Sequence, residues 1–155
     1  MVIRSCKSVN QPEDVGYLIW QITKFWQRGK HRTLDEFGLT SSQMEILGAI
    51  FHLTKEEKEI TQILLSQETN IDPMTTSTIL RNLQKKGLII RKESETDTRA
   101  RIVELTNEGE ELFQKAISKV KVLQDKLFEN IDIEALRTQL RILLNELNSL
   151  NKQLI

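Results

Sequence analysis

Seven basic side chains fall within residues 78–101, namely Arg81, Lys85, Lys86, Arg91, Lys92, Arg99 and Arg101, against three acids, Glu93, Glu95 and Asp97. This local excess of four positive charges suits phosphate oxygens, which recruit Lys and Arg in exchange for counterions. Close by stand Thr61, Gln62, Thr75, Ser77, Thr78 and Asn82, whose hydroxyls and amides are of the kind that address base edges and backbone oxygens. The chain as a whole is neutral, with 22 basic and 22 acidic residues, and much of the balancing acid lies elsewhere, as at Glu56, Glu57, Glu59, Glu108, Glu110 and Glu111. A confined basic face on a neutral protein fits a DNA binder that must release nonspecific sites. The same charges would also serve a merely solvated face, or one that meets an acidic partner protein.

These side chains need elements that hold them side by side, and residues 61–106 supply the order helix, turn, helix, hairpin. Thr61 is placed to cap a short helix burying Ile63, Leu64 and Leu65, and Asn70 tolerates the left-handed conformation that closes one. Asp72 followed by Pro73 starts the next helix, the carboxylate capping free N–H groups and the proline pre-set for the first position. Ile79, Leu80 and Leu83 form its apolar stripe and Gly87 its end. That stripe turns Thr78, Arg81 and Lys85 outward, flanked by Thr75, Ser77 and Asn82. After Gly87 the pattern changes to β: Leu88, Ile89 and Ile90 are strand formers, and Arg101 to Leu105 alternates so that Val103 and Leu105 share a face. The polar run from Ser94 to Arg99 makes a hairpin loop of about six residues. Thr106 then caps a further helix, with Glu108 in its first turn.

The sequence resembles the multiple-antibiotic-resistance-regulator (MarR) family of bacterial winged-helix transcription factors. The matching blocks are Asp97-x-Arg99 followed by Val103-x-Leu105-Thr106 and Gly109, the segment Leu83-x-Lys85-Lys86-Gly87-Leu88-Ile89, and Leu39-Thr40-x-x-Gln43-x-x-x-Leu47. In order and separation they fit across residues 14–154. The resemblance implies a wing whose tip carries Arg99 into the minor groove with Asp97 holding it, and a reading helix in the major groove. It also implies pairing through the first and last helices, and double-stranded DNA and a second copy as partners. The family often has a basic residue where this chain has Thr78, so base contacts do not transfer position by position. The DNA-contacting set expected here is Thr61, Gln62, Thr75, Ser77, Thr78, Arg81, Asn82, Lys85, Asp97, Arg99 and Arg101.

The flanking segments are helical. Val15, Leu18, Ile19, Ile22, Phe25 and Trp26 recur at the helical period from about residue 13 to the region of Arg32. Thr40 and Gln43 form a capping box for a helix carrying Met44, Leu47, Ile50 and Phe51, and Lys55 to Glu59 is a charged connector. Leu112, Ala116, Val120, Leu123 and Leu127 form one long stripe. After the break at Asn130-Ile131-Asp132, Leu136, Leu140, Leu143, Leu147, Leu150 and Leu154 form another. The second ladder spans fewer than three heptads, so a helix packed only within its own subunit is one reading. Ile142, Leu144 and Ile155 add apolar surface beyond one stripe, which favours a dimer seam. The expected class is mainly α with a small two-stranded β-wing. It forms one domain over residues 1–155, with a winged-helix part at about 39–106 and dimerisation helices at about 13–36 and 107–155. A twofold dimer would set two reading helices roughly one DNA turn apart on an inverted repeat.

Other chemistry is poorly supported. A chain of 155 residues has little room for a second, catalytic domain, and no P-loop, nucleophile elbow, HExxH or glycine-rich dinucleotide turn is present. No enzymatic activity and no cofactor are expected. No apolar run reaches the roughly 18 residues of a membrane span, and the first dozen residues hold no signal-peptide core, which points to the cytoplasm. Cys6 has no identifiable charge partner and is read as a passive thiol, although some members of the resembled family sense peroxide through a cysteine in this region. His31 and His52 lack metal-ligand spacing. Trp20, Phe25 and Trp26 are read as core before effector pocket. The functional expectation is a dimeric DNA-binding repressor responsive to a small molecule or redox signal. The rival is a winged-helix protein-interaction module without specific DNA binding.

Overall fold

Four short side chains decide where four helices begin. The computed structural model describes residues 14–56, 59–93 and 101–153, with side chains as far as residue 150. Within it Thr40 Oγ1 accepts from Gln43 N at 3.1 Å while Gln43 Oε1 accepts from Thr40 N at 3.1 Å, the reciprocal box that opens α2 (Ser41–Thr54). Thr61 Oγ1 accepts from Leu64 N at 3.2 Å to open α3 (Gln62–Thr69), and Asp72 Oδ1 from Thr75 N at 2.9 Å to open α4 (Pro73–Lys85). Thr106 Oγ1 accepts from Gly109 N at 3.0 Å at the head of α5 (Asn107–Phe128). Each bond satisfies an N–H that the helix itself leaves free. With α1 (Val15–Asp35), α6 (Ile133–Gln153) and the strands β1 (Ile89–Glu93) and β2 (Arg101–Leu105), these make a mainly helical chain with a single two-stranded antiparallel sheet among the described residues.

The chain divides into two compact units at Val120. In the first, Leu34, Leu39, Ile46, Leu47, Ile50, Leu65, Leu80, Leu83, Ile89 and Val103 are buried almost completely and form one core. The turn between α3 and α4 uses Asn70 at φ 56°. It is closed by two hydroxyls on one carbonyl: Ser66 Oγ and Thr76 Oγ1 donate to Ile71 O at 2.7 and 3.2 Å. Thr76 is fully buried, so its hydroxyl needs that partner. Gly87, at φ 72°, turns α4 into β1. β1 and β2 pair from Ile89↔Leu105 to Glu93↔Arg101, and Val103 N donates to Ile60 O at 2.7 Å, so the segment before α3 joins the sheet through a Thr61↔Ile102 bridge. A Cβ on Gly109 would stand 1.9 Å from Leu88 O. Only glycine lets α5 start this close to β1.

Some expectations need correction. Ile63 is 70% exposed whereas Leu65 is fully buried; residues two apart sit about 200° apart on a helix, and an eight-residue helix has one buried stripe. Leu64 is half-buried. α1 runs three residues past Arg32 and buries only Leu34, so Trp20 and Phe25 are exposed and do not belong to this chain's core. Trp20 instead lies against Tyr17, ring centroids 5.7 Å apart, with Lys24 Nζ 4.6 Å over its face. The sequence stripe on α5 omits Phe113, which is buried and packs on Phe51 at 5.1 Å.

The second unit carries the break at residues 130–132 and α6. Asp132 Oδ1 accepts from Ala135 N at 3.1 Å, which caps α6. Leu140, Ile142, Leu144, Leu147 and Leu150 are each about half exposed. Among the described residues no helix is long and apolar enough to cross a membrane. Cys6, the hairpin loop with Asp97 and Arg99, and Leu154 and Ile155 lie outside the described residues.

Candidate nucleic-acid interface

The interface starts from α4, whose apolar side is fixed in the core by Thr76, Ile79, Leu80 and Leu83. The opposite side then has to face outward. Thr75, Thr78, Arg81, Asn82 and Lys85 are exposed and Ser77 is half-buried. Along this side Thr78 Oγ1 donates to Met74 O at 3.1 Å and accepts from Arg81 Nη2 at 3.3 Å. The guanidinium is thereby laid along the helix, with its other donors free to turn outward. α4 has no acidic residue in its first turn, and Lys85 is the basic residue of its last.

A second layer comes from the sheet. Arg91 on β1 donates from Nη2 to Gln62 Oε1 at 2.8 Å, and Gln62 Nε2 donates to Pro73 O at 3.3 Å. One amide therefore ties the base of the hairpin to the first residue of α4. Burial lowers the Arg91 pKa from its ordinary value, and the like charges of Arg101 and Arg81 lower it further; arginine nonetheless stays charged. Arg91 Nε is buried and has no hydrogen-bond partner among the described residues. Three guanidiniums that repel one another, one on α4 and one on each strand, concentrate positive potential at a single place, which is what an anion seeks.

The structure sorts by use the six of the seven basic residues that it describes. Lys86 Nζ donates to Gly38 O at 2.5 Å and to Gln43 Oε1 at 3.2 Å, which fastens the end of α4 to the start of α2. Lys92 pairs with Glu104 across the strands at 2.6 Å. Arg81, Lys85 and Arg101 remain exposed. Of the expected contact set, Thr75, Ser77, Thr78, Arg81, Asn82 and Lys85 are brought together on α4. Gln62 is tied to the hairpin by Arg91, and Arg101 repels that guanidinium from the neighbouring strand. Thr61 Oγ1 accepts the capping bond of α3. Asp97 and Arg99 fall in the loop outside the described residues. Sequence reasoning missed Arg91 as a positioning residue; its signal was only its type in a strand.

Other candidates do not assemble a site. His31 Nε2 lies 3.7 Å from Asp35, its neighbour one turn on, and His52 packs edge-on against Phe51 at 5.6 Å. Among the described residues no three His, Cys, Asp or Glu side chains converge as a metal site would require.

Comparison with known proteins gives the same picture. Residues 28–116 match the family model described as transcriptional regulator SarA/Rot. The HTH-type transcriptional regulator YdcH of Bacillus subtilis is 32% identical over 113 residues, 73% of this chain and 77% of YdcH. A point variant of S. aureus MepR is 26% identical with a TM-score of 0.72, covering 88% of this chain and 98% of its own. The S. aureus MepR–DNA complex shares the fold at 24% identity and a TM-score of 0.77, covering 91% and 99%. So does CouR of Rhodococcus jostii bound to p-coumaroyl-CoA, at 21% and 0.74, covering 90% and 95%. These relatives are regulators and not enzymes, and the chain belongs to the SarA/Rot transcriptional regulators.

Proposed function

We propose that this chain acts as a homodimeric, sequence-specific DNA-binding regulator in the cytoplasm, most simply a repressor of an inverted-repeat operator. The observation that carries the reading is the outward stripe Thr78, Arg81 and Lys85 on α4, with the Arg91–Gln62–Pro73 relay fixing that helix to the hairpin. In this reading α4 enters the major groove, and its middle and end supply base and phosphate contacts. The hairpin lies alongside, with Arg99 in the minor groove and Asp97 orienting it. The MepR–DNA complex supports this docking by fold.

Pairing is supported by the half-exposed leucines of α6 and by the exposed Val15, Leu18, Ile19, Trp20, Ile22 and Phe25 of α1. Such apolar area on a small protein marks an interaction surface. Response to a small molecule is supported by the ligand-bound CouR of the same fold; an effector that prefers the DNA-incompetent arrangement weakens DNA binding by the same coupling energy. The test is selection of bound sequences from a random DNA library, followed by gel shifts against salt. An enriched inverted repeat with a steep salt dependence is the expected result. Uniform, sequence-blind retention would favour the protein-interaction module.

A further inference from the structure

Met74 is the second residue of α4 and 82% exposed, more than any other large hydrophobic side chain among the described residues. A single exposed apolar residue is ordinary. Its position is what makes Met74 informative. Residues 74, 78, 81 and 85 step by four, three and four along one face, and hydrogen bonds join the first three: Thr78 Oγ1 to Met74 O, and Arg81 Nη2 to Thr78 Oγ1. The charge of this stripe lies in its middle and at its end, at Arg81 and Lys85. In the first turn Asp72 is occupied by the cap to Thr75, and no basic residue stands there to take a phosphate. The stripe therefore opens on an unbranched, polarizable thioether that adapts to the shape it meets.

The major groove offers one apolar group to such a side chain, the 5-methyl of thymine, and the first turn of a reading helix also reaches base edges. We propose that Met74 packs on a thymine methyl in each half-site and so sets thymine as a preferred base there. The proposal rests on the DNA-reading function given above and names what one residue of that surface recognises.

The experiment uses the full chain and the operator obtained by selection, with each thymine replaced in turn by deoxyuridine, which removes the methyl and leaves the hydrogen-bonding edge unchanged. The wild type should lose about fourfold in affinity for each methyl that Met74 covers, the worth of one buried methyl-sized group. Met74→Ala, at an exposed position, should keep the wild-type circular dichroism and thermal midpoint and bind the thymine and deoxyuridine operators equally. A wild type that selects an operator yet is indifferent to every deoxyuridine overturns the methyl contact and leaves the DNA reading standing. A deoxyuridine penalty undiminished at every thymine in Met74→Ala assigns the methyl to another residue and overturns it too. Failure to enrich any sequence removes both.

Discussion

Arg91 Nη2 and Gln62 Oε1 meet at 2.8 Å although the residues are 29 apart in the chain. Through the second half of the same amide, which donates to Pro73 O, β1 and α4 share one fixed point. Either side chain cut to alanine should weaken operator binding by about 1.5–3 kcal/mol, the range for a hydrogen bond to a charged group. The double variant should lose less than the sum, with a coupling of at least about 0.5 kcal/mol. A double-mutant cycle on operator affinity measures this, and strict additivity would show that the two act independently.

Arg81 and Lys85 should separate reading from anchoring. Lys85, in the last turn of α4, is placed for phosphate. Lys85→Ala should weaken all sequences alike and reduce the salt slope by about one unit. Arg81→Ala should change which sequence is selected. The reverse assignment would mean that α4 lies in the groove with the opposite polarity.

If Arg99 enters the minor groove as proposed, Arg99→Ala should cost about 1–3 kcal/mol of operator affinity while dimerisation and folding stay as in the wild type. Asp97→Ala should reproduce part of that loss if the carboxylate orients the guanidinium. Titrations at moderate salt that show no change in Arg99→Ala would take the wing out of the mechanism.

Dimerisation is best challenged at Leu144 and Leu147, which are 57% and 49% exposed, rather than at the more buried Leu143. Asp at both positions leaves the protomer's own core untouched and puts charges into the proposed seam, where unpaired burial costs several kcal/mol. Light scattering should report a folded monomer, and operator affinity should fall with it because two half-sites bound by one dimer gain from linkage. A folded dimer with normal DNA binding would exclude this face.

Asp72 links α4 to pH. Its hydrogen bonds from Thr75, side chain first and backbone second, hold the carboxyl below its ordinary pKa. A group whose folded pKa is depressed contributes stability above its unfolded value and loses it as pH falls through the folded value. The first turn of α4 should therefore loosen in acid. Asp72→Asn keeps a capping oxygen that does not titrate, so the Thr75 amide resonance should lose its acid transition in that variant. A transition that persists would place the titrating group elsewhere.

The caps and breaks of this fold were legible in the sequence because each is decided within a few residues. Thr40 with Gln43, Thr61, Asp72 with Pro73, and Thr106 all start helices where their types and spacing said they would, and Asn70 and Gly87 turn the chain in the left-handed region. The outward stripe of α4 followed from the same local period. What the sequence left open depends on which elements meet. Lys86 reaches Gly38 O across 48 residues and so serves the core frame, although by composition it counted toward the basic face. Thr76 can sit buried on the core side of α4 because Ile71 O accepts its hydroxyl, and Ile63 is exposed because α3 spends its single buried stripe on Leu65. Arg91 looks like any strand arginine until the approach of Gln62 and the repulsion of Arg101 and Arg81 give it a place. Local hydrogen bonds and periodicity are written in adjacent residues, whereas burial, ion pairing and the sharing of a single amide arise only when distant segments pack together.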